Sequence, residues 1–293
     1  MNTPNKVPLT NISTWNARSV KPHEQEVSEF LQRNNVQIIA LTETHLQAGY
    51  SFRICNYIIH RRDRPGPHRG RRVALAVHTS IEHQLYQLPE LRKLEAVAIK
   101  TTIQCQLCIV MPVYAPPGKT ITRENLVAFN NSAPTFLALG DLNAKHPSWN
   151  YLGKTQNGQL LYHHQQFHPY LVCAPESPTR YPEVANNRPD ILNITIYRNI
   201  NFIYKLEVLQ EMHSDHLPLL ITPAQVQEYS EQLTQTIQRA IEVAIPLNKI
   251  TNHQINFPAH ITDLIHARNR ARKTWHCNRH LIHLKREVDA LQK

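Results

Sequence analysis

Apolar runs alternate with polar, turn-forming stretches along the first three quarters of the chain. Runs with the length and alternation of strands lie at residues 11–16, 36–42, 73–78, 94–100, 106–114, 136–139, 191–197 and 217–221. Two stretches have helical spacing instead, residues 22–34, where Val27, Phe30 and Leu31 share one face, and residues 123–130. Strands interspersed with helices, several following one another directly, predict an α/β protein of two packed sheets covered by helices.

The pattern changes beyond residue 224. Residues 225–244 are rich in Gln and Glu and have apolar side chains at helical spacing; a polar, proline-containing break follows, and residues 261–291 have helical spacing again. Between residues 268 and 286 there are seven Lys or Arg and no acidic residue. We therefore expect a strand-rich domain at residues 8–224 and a basic helical appendage at residues 225–293.

Polar side chains stand at the ends of several apolar runs. In chain order they are Asn16, Glu43, Tyr114, Asp141, Asn143, Asp215 and His216. Alternation along an extended chain puts Asp141 and Asn143 on one face, at the point where a buried strand ends. A carboxylate, an amide and an Asp–His pair suit metal-assisted hydrolysis of a phosphate ester. Taken alone, the segment Gly140-Asp141-Leu142-Asn143 is also typical of an ordinary strand-ending turn.

The composition favours a polyanionic partner. The chain of 293 residues has a formal net charge of +10, which suits nucleic acid, although a basic protein without such a role is the alternative. The densest positive segment is residues 61–72, with six arginines that we expect to bind DNA phosphates: Arg61, Arg62, Arg64, Arg69, Arg71 and Arg72. The alternative for this segment is a solvated basic loop.

Cysteine use and hydropathy bear on the compartment. The five cysteines are odd in number and lack the spacing of a disulfide framework. The Cys105-x-x-Cys108 pair lies in an apolar run and is interpreted as two buried strand thiols, not as a zinc site. No apolar segment reaches about 18 residues, and residues 1–10 lack a signal-peptide core. We expect an intracellular, reducing compartment and no membrane partner.

Five motifs occur in a fixed order over residues 11–222. They are Thr14-Trp15-Asn16, Leu41-Thr42-Glu43-Thr44-His45, Val113-Tyr114-Ala115-Pro116, Gly140-Asp141-Leu142-Asn143 and Ser214-Asp215-His216. In this order and spacing they resemble the endonuclease/exonuclease/phosphatase superfamily, which includes apurinic/apyrimidinic endonucleases and pancreatic deoxyribonuclease. Each motif is nonspecific by itself, so the resemblance depends on all five together.

Within the superfamily the chain looks most like the endonuclease of jockey-like non-LTR retrotransposons. The similar blocks are residues 140–149, Ser177-Pro178-Thr179-Arg180-Tyr181-Pro182 and Arg188-Pro189-Asp190-Ile191-Leu192. The basic tail resembles the segment that links endonuclease to reverse transcriptase in such polyproteins. No reverse transcriptase follows before Lys293, so we expect an isolated N-terminal portion or a truncated copy of such an element.

The resemblance implies a fold, a reaction and partners. The fold is a four-layer α/β/β/α sandwich of the deoxyribonuclease and apurinic endonuclease type, with the helical appendage after it. The reaction is Mg²⁺-dependent nicking of double-stranded DNA, with Mn²⁺ as an alternative ion. It leaves a 3′ hydroxyl that primes reverse transcription. The location implied is the nucleus, and the further partners implied are the element's RNA and a reverse transcriptase domain.

The resemblance also implies a role for each candidate side chain. Glu43 is a hard oxygen ligand suited to Mg²⁺, and Asp215 either binds the metal as well or helps to fix the site. Asp141 and Asn143 orient the attacking water, and Asn16 holds Asp141 or a phosphate oxygen. The expected reaction is phosphodiester hydrolysis assisted by the bound ion.

Tyr114 and His216 are expected to contact the scissile phosphate. Tyr114 donates its hydroxyl, unless it is only a packed surface aromatic, and His216 donates a hydrogen bond or transfers a proton. Two positions depart from the family: Arg18 stands where an acidic or amide residue is usual, and Asn193 stands where an aspartate orients the histidine. Asp190 is the nearest acid that could substitute, but three residues earlier on a strand it faces the opposite side.

Two other functions remain open at this point. The first is a non-catalytic DNA-binding relic of a mobile element, for which Arg18 and Asn193 are the evidence. The second is another hydrolase of the superfamily, such as a repair endonuclease or a lipid or inositol phosphatase. The arginine-rich segment and the basic tail favour DNA over small phosphates and lipids.

Overall fold

The computed structural model describes residues 9–47, 49–61, 73–149, 153–182, 188–202, 204–223 and 259–277, together with residues 237, 283, 285, 286 and 290. The chain forms two compact units, Met1–Gln232 and Leu233–Lys293. The predicted domain boundary at residue 224 and the predicted helix at residues 225–244 lie outside the described residues, except for residue 237.

The first unit alternates strands and short helices. In chain order its elements are β1 (Asn11–Asn16), α1 (Glu24–Arg33), β2 (Val36–Thr42), β3 (Tyr57–Arg61), β4 (Ala74–His78), β5 (His83–Tyr86), β6 (Glu95–Ala96), β7 (Ala98–Ile103), β8 (Gln106–Tyr114), α2 (Arg123–Asn130), β9 (Phe136–Asp141), α3 (Gln156–Gln165), β10 (Leu171–Cys173), β11 (Asn193–Arg198), β12 (Tyr204–Val208) and β13 (Leu219–Pro223). The second unit contains helix α4 (Ala259–Cys277).

Within the described residues the strands form two sheets. The first has the order β12-β13-β1-β2-β4-β3, and the second has the order β10-β11-β9-β8-β7-β5, with β6 paired to β8. Each sheet has one parallel pair near its centre, β1 with β2 and β8 with β9, and the other pairings are antiparallel. Helix α1 joins the first parallel pair and helix α2 joins the second, as parallel strands require a crossover connection. The carboxyl ends of β1 and β2 therefore share one edge, and so do those of β8 and β9.

Three apolar clusters separate the layers of this unit. One lies between α1 and the first sheet and contains Trp15 and Phe30. The second lies between the sheets and contains Ile38 and Leu139. The third lies between the second sheet and helices α2 and α3, and it contains Phe129. Alternate residues of β2 and of β9 enter different clusters, because successive side chains of a strand point to opposite faces. The predicted four-layer sandwich is confirmed.

Two local predictions need correction. The run at residues 94–100 was expected to be one strand, but it is divided into β6 and β7 at Val97. The two cysteines at 105 and 108 are not both buried strand thiols: Cys108 is buried in β8, whereas Cys105 is exposed. Cys105 has a φ of 62° and lies in the turn between β7 and β8, which carries it out of the strand.

None of the helices in the described part of the chain combines the length and the apolar character needed to cross a bilayer.

Candidate active site

The predicted site residues converge because their strands direct them into the space between the sheets. Asn16, Tyr114 and Asp141 each occupy the last position of a strand of a parallel pair. Each has the strand parity of neighbours in the cluster between the sheets, and Tyr114 belongs to that cluster. Glu43 follows the last residue of β2. Carboxyl ends of neighbouring parallel strands are a common place for ligand sites in α/β proteins.

Left-handed backbone conformations occur where three of these strands end. Arg18 has a φ of 44°, Glu43 of 50° and Asn143 of 47°. Asparagine adopts this region with little cost, but arginine and glutamate do so rarely. Strained residues persist where the surrounding structure holds them, and they cluster at functional sites. Each of these residues lies within two positions of the end of β1, β2 or β9.

An amide, two carboxylates and a phenol form the centre of the site. The Asn16 side-chain N–H group donates to Glu43 Oε1 at 3.2 Å and to Asp141 Oδ2 at 3.1 Å. The Tyr114 hydroxyl donates to the same Glu43 oxygen at 2.8 Å. Asn16 and Tyr114 are fully buried and Asp141 is 2% exposed, so Tyr114 is not a surface aromatic. One network therefore joins the two sheets through these four side chains.

Asn143 lies beside Asp141, but not through strand alternation. Strand β9 ends at Asp141, and the Asn143 backbone N–H donates to Asp141 Oδ1 at 2.8 Å in an Asx-type turn. The Asn143 side chain donates to the Ala115 carbonyl oxygen at 2.8 Å, across the adjoining loop. Gly140 has a φ of 144°, and a Cβ at this position would lie 2.2 Å from the Val113 carbonyl oxygen. The strand-ending turn and the candidate site are thus the same feature.

Burial decides the ionisation of Asp141. Desolvation raises the pKa of its carboxyl group to about 7, although the hydrogen bonds from Asn143 and Asn16 act in the opposite direction. Glu43 adds a smaller upward contribution and Arg180 a smaller downward one. A carboxyl group with a pKa near neutrality can exchange a proton with water under physiological conditions.

The Asp215–His216 segment is fixed to β1 and α1. The Trp15 indole N–H donates to the His216 carbonyl oxygen at 2.9 Å, and the Ser214 hydroxyl donates to the Asn16 carbonyl oxygen at 3.3 Å. On the outer side, Glu26 of α1 accepts the His213 backbone N–H at 2.7 Å. These contacts connect the segment before β13 to the elements that carry Asn16.

Residues 177–182, which the sequence marked only as a block similar to the retrotransposon endonucleases, complete this side of the site. Residues 177–182 run between Asp190 and the Asp215–His216 segment, and Arg180 bridges both by backbone pairing. The Arg180 Nε–H donates to Asp215 Oδ2 at 3.0 Å. An Arg18 guanidinium nitrogen lies 3.1 Å from Asp215 Oδ1. The Asp215 carboxylate is therefore held between two guanidinium groups.

These charges determine the state of Asp215. Burial acts to raise the pKa of its carboxyl group, but His216, Arg180 and Arg18 outweigh burial and lower that pKa below its usual value. Asp215 is thus an anion at neutral pH. Arg180 was not among the predicted site residues, and Arg18 was predicted only as a departure from the family.

His216 is a buried imidazole. It is 4% exposed, and burial lowers its pKa to about 4 although Asp215 and Glu43 act to raise it. Its Nε2 lies 3.8 Å from Asp215 Oδ1. Among the described residues its Nδ1 has no hydrogen-bond partner. At neutral pH the ring is therefore uncharged.

Asn193 opens β11 directly opposite Asp141. It is fully buried; its side-chain N–H group donates to the Leu217 carbonyl oxygen at 3.3 Å, next in the chain to His216. Its Oδ1, like His216 Nδ1, is a buried polar atom without a hydrogen-bond partner in the described part of the chain. Asp190 was the nearest acid that could have replaced the aspartate of the family. Its carboxylate forms a 2.7 Å ion pair with Lys145.

The donor set around Glu43 suits a hard cation. Mg²⁺ takes oxygen ligands, keeps several waters and needs only one or two protein carboxylates. Glu43 provides such a carboxylate beside Asp141, with one oxygen oriented by Asn16 and Tyr114. Within the described residues no group of three or more His, Cys, Asp or Glu side chains is arranged to hold a metal. The chemistry of Glu43 therefore fits an ion that is completed by water and substrate oxygens.

The arginine-rich segment leaves the sheet near this site. Arg61 ends β3 and pairs with Ala74, which in turn pairs with Leu41, two residues before Glu43. Arg62, Arg64, Arg69, Arg71 and Arg72 lie outside the described residues. The described ends of the segment thus lie at the sheet edge that carries Glu43.

A four-layer sandwich with an acid–amide–histidine site at its paired strand ends has the architecture of the deoxyribonuclease-like nucleases and phosphatases. The chain belongs to the Endonuclease/Exonuclease/phosphatase family, whose sequence pattern matches residues 13–230. This match confirms the superfamily to which the five motifs pointed.

Relatives from mobile elements are similar over most of the chain. A probable RNA-directed DNA polymerase from transposon BS of Drosophila melanogaster is 24% identical over 89% of the chain and 30% of its own length. The RNA-directed DNA polymerase from mobile element jockey of the same species is 25% identical over 73% of the chain and 24% of its own length. The chain thus spans less than a third of either relative.

One solved structure with the same fold also comes from a mobile element. The endonuclease domain of TRAS1, a telomere-specific non-LTR retrotransposon, superimposes with a TM-score of 0.58 over 74% of the chain and 99% of that domain. Sequence identity is 14%, so the likeness concerns the fold. The relation to retrotransposon proteins predicted from the sequence is confirmed.

Proposed function

We propose that the chain is a metal-dependent endonuclease that nicks double-stranded DNA and leaves a 3′ hydroxyl. The observation that carries the proposal is the buried network of Asn16, Glu43, Tyr114 and Asp141. The Asp215–His216 segment, tied to Asn16 through Ser214, adds a neutral imidazole. Such a set can bind a cation, receive a proton from water and donate to a phosphate.

Asp141 is the proposed acceptor of the proton from the attacking water. Burial brings its pKa to about 7, so the carboxylate and the carboxylic acid are both accessible at neutral pH. Hydrogen bonds from Asn16 and from the Asn143 backbone fix the orientation of its two oxygens. Orientation of this kind converts a random encounter with water into a directed attack on phosphorus.

Glu43 is the proposed metal ligand. Asn16 and Tyr114 both donate to its Oε1, which fixes the carboxylate before any ion binds. A bound Mg²⁺ or Mn²⁺ would polarise a phosphoryl oxygen and stabilise the charge that develops on the leaving 3′ oxygen. In this proposal Tyr114 orients Glu43, the ligand of the ion that binds the phosphate. The sequence had suggested a direct contact between Tyr114 and the phosphate.

His216 is proposed to donate a hydrogen bond to the scissile phosphate. Its low pKa makes the ring neutral, and a neutral imidazole carries one N–H donor. Arg18 and Arg180 add positive charge beside it. A neutral donor supported by cations can stabilise an anionic transition state without itself releasing a proton.

The proposed substrate is DNA inside the cell nucleus. The formal charge of +10 supports a polyanionic substrate. The basic segment that begins at Arg61 and the lysines and arginines between residues 268 and 286 are proposed to bind its phosphates. Because the similar Drosophila proteins are RNA-directed DNA polymerases, we propose that the nick primes reverse transcription by an associated polymerase domain, with the element's RNA as template.

A supercoiled plasmid tests this function directly. We expect the full chain with Mg²⁺ to convert it to the relaxed circle, and we expect a DNA polymerase to extend the nick without prior end repair. EDTA should prevent nicking because the reaction depends on the ion. Nicking that persists in EDTA, or ends that a polymerase cannot extend, would contradict the metal-hydrolase mechanism. Tight DNA binding without any nicking would favour the binding relic.

Asn193→Asp should increase the nicking rate by about 10-fold, the scale on which partners of a functional histidine act. A carboxylate at this buried position would stabilise the imidazolium form and raise the pKa of His216 from about 4. A charged imidazolium donates a stronger hydrogen bond to an anionic phosphate than the neutral ring does, which is the reason for the faster rate. The pKa can be measured by NMR titration of the ring protons, and the rate with the plasmid.

Asn130→Asp is the matched control for this substitution. Asn130 is a buried asparagine of α2 that contacts Arg198, so the change adds the same charge elsewhere. It should leave the pKa of His216 and the nicking rate unchanged. If Asn193→Asp also changes neither, Asn193 is not the partner of His216.

A further inference from the structure

Asp215 and two arginines form a cluster that differs from a metal site. Asp215 Oδ2 accepts a hydrogen bond from the Arg180 Nε–H group at 3.0 Å, and Oδ1 forms an ion pair with Arg18 at 3.1 Å but accepts no hydrogen bond from the described residues. The Asp215 side chain is 3% exposed, whereas the side chains of Arg18 and Arg180 are 49% and 35% exposed. A buried anion therefore lies beneath two partly exposed cations.

Backbone contacts hold Arg18 and Arg180 in place. Arg18 and Ser19 have φ angles of 44° and 123°, and the backbone on either side of them is held by hydrogen bonds from Ala17 N–H to the Thr42 carbonyl and from Val20 N–H to the Thr44 carbonyl. The Arg18 backbone N–H donates to Asn16 Oδ1 at 3.3 Å, so the same asparagine orients Arg18 and the two carboxylates. Arg180 is fixed by backbone pairing with Asp190 and His216. The backbone of each arginine is therefore fixed, which limits the positions that its guanidinium group can reach.

Charge divides the site into two halves. Glu43 and Asp141 form the acidic half, joined by Asn16. On the side of His216, two guanidinium groups, those of Arg18 and Arg180, flank the single carboxylate of Asp215. A cation at Asp215 would have to displace a guanidinium group and approach the other at close range, which Coulomb repulsion opposes. A phosphate oxygen is instead attracted to the exposed guanidinium groups.

We propose that Arg18, Asp215 and Arg180 form a binding site for a phosphate of the DNA backbone, in which Asp215 positions the two arginines and is not a metal ligand. The proposal rests on the proposed function, because it assigns a substrate contact of the same site. Of the two roles that the sequence suggested for Asp215, it selects fixing the site over binding the metal. It also assigns a function, phosphate binding, to Arg18, which stands where the family usually has an acidic or amide residue.

Binding of a fluorescein-labelled DNA duplex in EDTA tests the phosphate contact without catalysis. Arg18→Gln in the full chain should weaken binding about 5- to 10-fold at low salt and make the slope of log affinity against log salt less negative by about 0.9, the value for one phosphate. Arg18→Lys should keep that slope, because it keeps the charge, while losing part of the affinity through loss of the planar guanidinium. Fluorescence anisotropy measures both quantities.

Arg33→Gln is the matched control. Arg33 also pairs with a carboxylate at 3.1 Å, that of Glu211, and its side chain is 63% exposed, but it contacts none of the proposed site residues in the described part of the chain. It should leave affinity and slope unchanged. An Arg18→Gln chain with the slope of the parent chain overturns the proposal.

Mn²⁺ binding to the full chain tests the role of Asp215. Glu43→Gln should weaken Mn²⁺ about 10-fold or more, because it removes the charged ligand, whereas Asp215→Asn should leave the affinity within about twofold. In the Asp215→Asn background, Arg18→Gln should cost less DNA affinity in EDTA than it costs in the parent chain, because an arginine without its anchor contributes less to phosphate binding. A loss of Mn²⁺ affinity in Asp215→Asn equal to that in Glu43→Gln overturns the proposal.

The two proposals fail separately. If Asp215→Asn does not fold, the Arg18 series decides, since Arg18 is half exposed. Normal nicking by a chain in which Arg18→Gln leaves the salt slope unchanged would refute the phosphate site alone. A chain that never nicks, but in which Arg18→Gln flattens the slope, would refute the nuclease function and retain the phosphate site.

Discussion

Glu43→Gln or Asp141→Asn should slow plasmid nicking by about 100-fold or more. Glutamine cannot supply the anionic oxygen that a hard cation requires, although it keeps the shape that Asn16 and Tyr114 contact. Asparagine at 141 cannot accept a proton from water. Each change is isosteric and lies in a fixed network, so the loss should appear in the rate of the chemical step. Single-turnover nicking with saturating enzyme measures that rate.

Glu207→Gln is the control for these substitutions. Glu207 is a glutamate of edge strand β12 that pairs with Lys205, so its replacement removes the same charge away from the site. It should nick at the parent rate. The double variant of Glu43 and Asp141 should be little slower than either single variant, because residues that act as one unit have non-additive effects. Parent-level nicking by Glu43→Gln would remove Glu43 from the metal site.

The positions of the central strands and of most site residues could be predicted because they follow local rules. β1, β2, β8 and β9 are apolar runs that end in a polar residue, and burial between two layers makes such runs nearly continuous. The residue after each run, or its last residue, then lies at a sheet edge. Asn16, Glu43, Tyr114 and Asp141 were found in this way, and the structure joins them by hydrogen bonds.

The edge strands and helix α3 could not be predicted in the same way. β3, β5, β10 and β12 are short and have few buried side chains, so their sequences lack a clear period. Helix α3 has only one buried leucine, Leu161, and contains Gly158 in its first turn. It depends on tertiary contacts: Thr155 caps it, and Gly158 allows close approach to the Lys145 backbone.

Pairing between charges distant in sequence has no local signal either. Arg180 precedes Asp215 by 35 residues, and Arg18 is 197 residues away from it, so only the fold brings them together. The positive φ of Asn143 is typical of asparagine, whereas the same conformation at Arg18 and Glu43 is imposed by the structure. Arg18, which departs from the family in sequence, forms an ion pair with Asp215 in the structure.

Gly140→Ala should destabilise the catalytic unit by about 3 kcal/mol or more, a large share of the stability of an ordinary domain. Gly140 has a φ of 144°, a region that residues with a side chain rarely adopt, and an added Cβ would lie 2.2 Å from the Val113 carbonyl oxygen. Backbone strain and collision therefore act together. Because Asp141 is the next residue, any shift that relieves the collision also moves the proposed proton acceptor, so nicking should fall with stability.

Two other glycines separate these causes. Gly118 has a φ of 78° and open space around it, so Gly118→Ala tests strain alone and should cost about 1 kcal/mol. Gly158 does not have a positive φ, but an added Cβ would lie 2.0 Å from the Lys145 carbonyl oxygen, so Gly158→Ala tests collision, which costs about 1–3 kcal/mol. Urea unfolding followed by the fluorescence of buried Trp15 and Trp149 should rank Gly140→Ala as the least stable variant. If its midpoint equals that of Gly118→Ala, β8 and β9 can separate at this point without cost, and the close approach of the two strands does not hold Asp141 in place.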